Sequence, residues 1–191
     1  MKLGVLAIQG SFAEHKEMCE DLGYECRVIK NKSDLHDITH IIFPGGESTT
    51  MLKLLKEFEM WSVLEEKIKT SEIKIFGTCA GAILCSYLGM NITVERNAYG
   101  SQLHSFITDV NINKNSNFYN ETAVEEISAA FIRAPKIQIT ENTENTENID
   151  IISEYKNIPV LVEENNFLAC SFHPEITKDY SIYEYFCNGS V

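Results

Sequence analysis

The sequence predicts an α/β protein: a mostly parallel central sheet with helices on both faces, plus an antiparallel strand extension in the C-terminal half. Three observations lead there. Over residues 2–84, short apolar runs alternate with segments of helical spacing, as in a parallel sheet whose crossovers are helices. Gly77-Thr78-Cys79-Ala80-Gly81 joins one of those runs to the next helix, in the manner of the sharp strand-to-helix turn of Gly-x-Ser-x-Gly hydrolases. Beyond residue 104, strand-like runs follow one another with little helix between them.

Lys2 to Ile8 is apolar with few charges, as a strand buried on both faces requires. Gln9-Gly10-Ser11 turns the chain, and Ser11 with Glu14 makes a capping-box pattern. Phe12, Met18, Cys19 and Leu22 give the following helix its apolar stripe, and Gly23 ends it. Tyr24 to Ile29 reads as a second strand. A turn around Ser33 to Ile38 leads to a third, His40 to Phe43, which stops at Pro44. Met51, Leu52, Leu54, Leu55 and Phe58 fall at helical spacing from Ser48 to Phe58. Trp61 to Ile68 continues as a second helix before the strand that opens at Ile73.

In the second half, Ser105 to Ile112, Ala129 to Arg133, Ile137 to Thr140, Ile149 to Tyr155, Ile158 to Glu163 and Phe167 to Phe172 read as strands. A helix from Asp179 to Cys187 closes the chain. Thr140 to Asn148 repeats Thr-Glu-Asn without an apolar residue, so it reads as a solvated hairpin loop rather than a domain boundary. Residues 1–191 are expected to form one domain.

Composition excludes several classes. The 44% hydrophobic fraction suits a soluble globular protein, and no apolar run reaches the length of about 18 residues that a membrane helix needs. The chain enters its first strand at once, so no signal peptide is expected. Six cysteines without a CxxC pair read as reduced thiols, so the expectation is a cytoplasmic protein with no membrane association. A net charge of −12 argues against nucleic acid as a partner. The chain has three arginines, Arg27, Arg96 and Arg133, and their scarcity makes each guanidinium informative.

Three segments carry chemistry. In Gly77 to Gly81 the nucleophile projects from a tight turn, so its neighbours two residues away on either side need to be small. Cys79 then starts a helix, whose free N–H groups favour thiolate, and the N–H of Ala80 faces the oxygen of an attacked carbonyl. The alternative is a buried structural cysteine in an α/β turn. In Phe43-Pro-Gly-Gly-Glu-Ser-Thr49 the paired glycines let the backbone present N–H groups to an anion, although ordinary loops carry similar sequences. In Cys170-Ser-Phe-His-Pro-Glu175 an extended chain puts His173 and Glu175 on one side, beyond the strand ends where parallel sheets bind ligands. A histidine base, oriented by a carboxylate and facing a cysteine, is triad logic; a solvated His-Pro turn is the alternative. His15, His36, His40 and His104 lack metal-type spacing and read as surface or satisfied side chains. Cys19, Cys26, Cys85, Cys170 and Cys187 read as structural thiols.

Together these segments resemble the class I glutamine amidotransferases, and more narrowly the glutaminase subunits of pyridoxal 5′-phosphate synthases. The narrower resemblance rests on Gly4-Val-Leu-Ala-Ile-Gln-Gly10, Pro44-Gly-Gly-Glu-Ser-Thr-Thr-Met51, Phe76-Gly-Thr-Cys-Ala-Gly81, Val94-Glu-Arg-Asn97, Phe131-Ile-Arg-Ala-Pro135 and Ser171-Phe-His-Pro-Glu175. It implies hydrolysis of L-glutamine to glutamate and ammonia, without cofactor or metal, with ammonia passed to a synthase subunit that assembles pyridoxal 5′-phosphate. By that resemblance Cys79 is the nucleophile, His173 the base and Glu175 its orienting carboxylate, through a glutamyl thioester. Gly46 and Ala80 supply the oxyanion hole. Gly46, Glu47, Ser48, Arg96, Ile132 and Arg133 bind substrate, and Gln9 senses the synthase. The connection from Tyr87 to Thr93 is shorter than is common in the family, and the Thr-Glu-Asn repeat looks like an expanded family loop. A stand-alone cysteine hydrolase on this scaffold, of γ-glutamyl hydrolase or peptidase type, or a non-catalytic interaction subunit, are the other readings.

Overall fold

In this computed structural model, residues 1–95, 105–140 and 149–188 are described. The apolar runs become strands at the places their composition dictates: β1 Leu3–Leu6, β2 Cys26–Ile29, β3 His40–Phe43 and β4 Lys74–Thr78. Between them lie α1 Phe12–Asp21, α2 Ser48–Glu57 and α3 Met60–Lys69, and α4 Ala80–Tyr87 follows the cysteine turn. The remainder comprises β5 Ile92–Glu95, β6 Phe106–Asn111, α5 Asn117–Thr122, β7 Glu126–Phe131, β8 Lys136–Ile139, β9 Asp150–Tyr155, β10 Ile158–Glu164, β11 Phe167–Cys170, α6 Pro174–Thr177 and α7 Ser181–Asn188.

Seven strands form the central sheet in the order β2-β1-β3-β4-β11-β10-β9. The pairings from β2 through to β11 are all parallel, and β10 and β9 extend the sheet antiparallel. Two antiparallel ladders, β5 with β8 and β6 with β7, stand apart from it. The C-terminal extension is therefore partly a continuation of the main sheet and partly two separate ribbons.

Because side chains alternate along a strand, the central strands feed two cores. Val5, Ile42 and Phe76 pack on one face with Met18 and Cys19 of α1 and Ile182, Tyr183 and Phe186 of α7. Leu6, Ile41, Phe43 and Ile75 pack on the other with Met51 and Leu55 of α2, Leu64 of α3 and Leu84 of α4. Both faces of β1 and β3 are buried throughout, which explains why those strands read as continuous apolar runs instead of alternating ones.

Local detail departs from expectation in three places. The turn near Ser33 is a 3-10 helix, Lys32–Leu35, closed by a reciprocal cap between Asn31 and Asp34. Short helices α5 and α6 and strand β5 join the second half. The Ser11 side chain makes no cap bond at the start of α1; its hydroxyl donates to Glu175 Oε1 at 3.0 Å instead, a charged acceptor outcompeting a neutral backbone arrangement. His15 and His40 are both fully or nearly buried, at 0% and 4% exposure, whereas His36 is exposed. Arg96, His104 and residues 141–148 of the Thr-Glu-Asn repeat lie outside the described residues.

His40 is satisfied on one side alone. Nδ1 lies 3.0 Å from Thr39 Oγ1, while Nε2 is buried without a hydrogen-bond partner among the described residues, and the ring meets Phe186 edge-on at 5.4 Å. Burial, then the charges of Lys74 and the N-terminal amine, push it down to about 4. A depressed histidine binds its proton more readily unfolded, so its contribution to stability is complete above about pH 6.5 and is lost as pH falls toward 4. His15, also pushed down by burial, acts in the same direction, whereas His173, pushed up to about 10, acts oppositely above neutrality. Both are common to a variant pair. Urea unfolding at pH 7.5 and 4.5 should therefore show a loss of stability smaller by about 2 kcal/mol in His40→Leu than in the parent chain; equal losses would contradict this account of His40.

Candidate active site

β1, β3, β4 and β11 are neighbours in the sheet and run parallel. Their C-terminal ends therefore deliver four loops to one place: Gln9-Gly10, Gly45-Gly46-Glu47, Cys79, and His173 to Glu175. Chain order reverses at β1, whose neighbours are β2 and β3, and such a switch point is where open α/β sheets bind ligands.

Cys79 sits at φ 50°, ψ −105° between β4 and α4, a backbone region that non-glycine residues rarely occupy. Its N–H donates to Cys170 O of β11 at 2.9 Å, and its carbonyl accepts from Ala82 N at 3.2 Å. The flanking glycines are required by contact. A Cβ on Gly77 would stand 2.6 Å from Cys85 Sγ and 2.6 Å from the Gly81 carbonyl carbon, and a Cβ on Gly81 would run into Phe43 O. Cys79 is partly exposed, whereas Cys19, Cys26, Cys85, Cys170 and Cys187 are buried.

His173 and Glu175 come together as expected but by a different route. Pro174 opens the short helix α6, with Glu175 in its first turn, so the shared face comes from a helix start rather than from strand alternation. Glu175 Oε1 lies 2.8 Å from His173 Nδ1. The backbone N–H of His173 donates to Ala130 O of β7 at 2.9 Å, and the Thr177 hydroxyl donates to Ser128 O at 2.7 Å, so β7 braces the segment. Burial alone would lower His173, but the neighbouring Cys79 thiol and the hydrogen-bonded Glu175 carboxylate push it up to about 10. Glu175 is held below its ordinary value: burial opposes this, and the His173 hydrogen bond and the nearness of His15 and His173 outweigh it.

The glycine pair after β3 packs tightly on its neighbours. Gly45 O accepts from Ser11 N at 3.1 Å, a Cβ on Gly45 would stand 2.5 Å from His173 Cε1, and one on Gly46 would collide with Gln9 Oε1. Gln9 Oε1 accepts the Glu47 N–H at 2.8 Å. The Glu47 carboxylate caps α2 by accepting from Thr49 N at 3.0 Å and Thr50 N at 2.7 Å. The Thr50 hydroxyl and these backbone donors hold it down to about 2.

A cavity of about 480 Å³ is lined by Gln9, Gly46, Glu47, Ser48, Cys79 and Ala80, with Ile132, Arg133 and His173 opposite. All the described candidate residues except Glu175 line it; Glu175 lies behind His173. Arg133 stands at φ 47°, a strained turn directly after β7. Ile83 and Pro135 also line the cavity and were not singled out from sequence, although Ile83 lies one helical turn beyond Cys79. Ser11 and His15 were also missed as site residues; their spacing of four on one helix face was the available signal. Among the described residues no three His, Cys, Asp or Glu side chains converge as metal ligands would, and no helix is long and apolar enough to cross a membrane.

This sheet, with a cysteine at a strained elbow beneath a His-Glu pair, has the architecture of the glutamine amidotransferases. The chain aligns with a crystal structure described as a glutamine amidotransferase at TM-score 0.83 and 34% identity, covering 98% of each chain. PurLQS from Thermotoga maritima shares the fold at TM-score 0.72 and 17% identity, covering 98% of this chain and 99% of that one. More narrowly, the chain belongs to the SNO glutamine amidotransferase family, whose model matches residues 5–191. It is 42% identical to the pyridoxal 5′-phosphate synthase subunit PdxT of Francisella philomiragia over 98% of both chains. With the subunit of the same name from Francisella tularensis subsp. tularensis it shares 40% identity over 97% of both.

The exposure pattern of the thiols gives a direct expectation. Under native conditions iodoacetamide should modify Cys79 first, with the other five cysteines reacting only on unfolding, as peptide mapping would show. Early modification of a buried cysteine at a comparable rate would contradict the described packing.

Proposed function

We propose that this chain is a glutaminase that hydrolyses L-glutamine to glutamate and ammonia, with the ammonia passed to a synthase subunit for pyridoxal 5′-phosphate formation. The observation that carries the reading is the His173 imidazole, held by Glu175 at 2.8 Å, at the mouth of a substrate-sized cavity that Cys79 also lines. Membership of the SNO glutamine amidotransferase family and the likeness to pyridoxal 5′-phosphate synthase subunits support the same reading.

In this mechanism the Cys79 proton already rests on His173 as an imidazolium, and Sγ attacks the side-chain amide carbon of glutamine. The developing oxyanion accepts hydrogen bonds from the N–H groups of Gly46 and Ala80. The C–N bond breaks as His173 returns the proton to the leaving nitrogen, releasing ammonia and leaving a glutamyl thioester. His173 then deprotonates water, which attacks the thioester and frees glutamate and the thiol. Glu175 stays ionised and stabilises the imidazolium at each transfer. Gly46, Glu47, Ser48, Ile132 and Arg133 line the site, and the Arg133 guanidinium, with Arg96, suits the α-carboxylate of the substrate. Gln9, bonded to the Glu47 N–H beside Gly46, reports synthase docking to the oxyanion loop. Residues 1–191 act as one cytoplasmic domain.

Glutamate release from glutamine, measured with and without the synthase subunit, tests the proposal. Cys79→Ala should fold and show no turnover above background. Arg133→Lys keeps the charge but loses the planar fork, and should raise KM by roughly tenfold with a smaller change in kcat. Turnover by folded Cys79→Ala would overturn the nucleophile assignment. Full turnover that the synthase leaves unchanged would favour the stand-alone cysteine hydrolase.

A further inference from the structure

His15 lies at the back of the site and takes no part in the mechanism above. It is fully buried, in the first turn of α1, which Ser11 precedes. Its Nδ1 is 2.7 Å from the Tyr183 hydroxyl of α7, and its Nε2 is 3.1 Å from Thr78 Oγ1, the residue before Cys79. Nε2 also lies 3.5 Å from Glu175 Oε2. That oxygen is the weak point of the site. Glu175 Oε1 is engaged by His173 and Ser11, but Oε2 is buried with no hydrogen-bond partner among the described residues. An ionised carboxylate oxygen left without a donor in a dry pocket is costly.

The surroundings of His15 select its tautomer. Burial raises Tyr183 well above its ordinary value, so its hydroxyl keeps a proton that it can donate to Nδ1. Burial also lowers His15, against the pull of Glu175 and Glu14 and with the push of His173, so the imidazole stays neutral. A neutral ring accepting at Nδ1 carries its hydrogen on Nε2. The other tautomer would set a nitrogen lone pair against the Glu175 carboxylate. We propose that His15 is a positioning residue for glutamine hydrolysis: its Nε2–H, aimed by Tyr183, faces Glu175 Oε2 and holds that carboxylate in register with His173. The proposal rests on the Cys79–His173–Glu175 reading. In it a series of polar contacts runs from Tyr183 through His15 and Glu175 to His173.

Two substitutions separate this from simple space filling. His15→Met keeps a comparable volume without a donor, and His15→Gln restores an N–H near the Nε2 position. In the complex with the synthase subunit, His15→Met should lower kcat roughly 10- to 100-fold with KM within about twofold, and His15→Gln should recover most of the loss. In the isolated chain, the pH profile of Cys79 alkylation should move to higher pH in His15→Met and back toward the parent in His15→Gln, since a loosened Glu175 supports the imidazolium less well. Cys170, Glu175 and His173 all bear on that thiol or its base and are the same in each variant. A folded His15→Met chain with parental kcat and profile, or equal impairment of both variants, would overturn the proposal. Should both variants unfold, Tyr183→Phe leaves the ring in place and frees its tautomer; a profile moved to higher pH supports the proposal and an unmoved one overturns it. His173→Asn separates the two levels. If the parent profile does not depend on His173, the triad reading itself fails; if it depends on His173 but not on His15, only the present proposal does.

Discussion

The backbone of Cys79 is the constraint on which the rest of the molecule depends. Holding a non-glycine residue at φ 50°, ψ −105° costs about 1–3 kcal/mol, and the conformation persists only because several contacts enforce it together. The Cys79 N–H is bonded to β11, α4 begins at the next residue, and Gly77 and Gly81 come so close to each other and to Phe43 that neither has room for a Cβ. Those contacts tie β3, β4, β11 and α4 into one rigid corner, from which the thiol projects toward the cavity.

The same strands fix everything else around the thiol. Because β1, β3, β4 and β11 lie side by side, loops distant in sequence meet without any long excursion. Gly10 packs on Gly45 and Gly45 on His173, while Ser11 reaches Glu175 across the sheet. The charge arrangement follows from this packing. His173 is mostly buried and would lose its proton on that ground alone, yet Cys79 and Glu175 push it up; Glu175 is buried and would gain one, yet its neighbours hold it down. Each group is held in its ionic form by the others, which keeps a buried ion pair available for chemistry.

Much of this was legible in the sequence, and the reasons are specific. The parallel half announced itself because both-face burial writes continuous apolar runs and helical spacing is hard to mistake over ten residues. The elbow was legible because close approach admits glycine alone at Gly77 and Gly81. Short-range chemistry was harder to read. Ser11 looked like a helix cap because the local pattern favoured one, and only the fold brings Glu175 within its reach. Asn31 and Asp34 cap a short helix that apolar periodicity does not reveal. His15 carried no metal spacing and so gave no sign of its place beside Glu175, which depends on how α1, α6 and α7 pack. The route by which His173 and Glu175 share a face was also hidden, since Pro174 is compatible with both an extended chain and a helix start.

The central claim is that Cys79, activated by His173, attacks the side-chain carbonyl carbon of a bound glutamine. The most direct measurement uses a glutamine analogue carrying an electrophilic carbon in place of the amide, added to the complex with the synthase subunit and read by intact mass and peptide mapping. The account predicts one adduct per chain, on the peptide containing Cys79, suppressed by excess glutamine and strongly slowed in His173→Asn. An adduct on another cysteine, or one formed at the same rate with glutamine present, would contradict it.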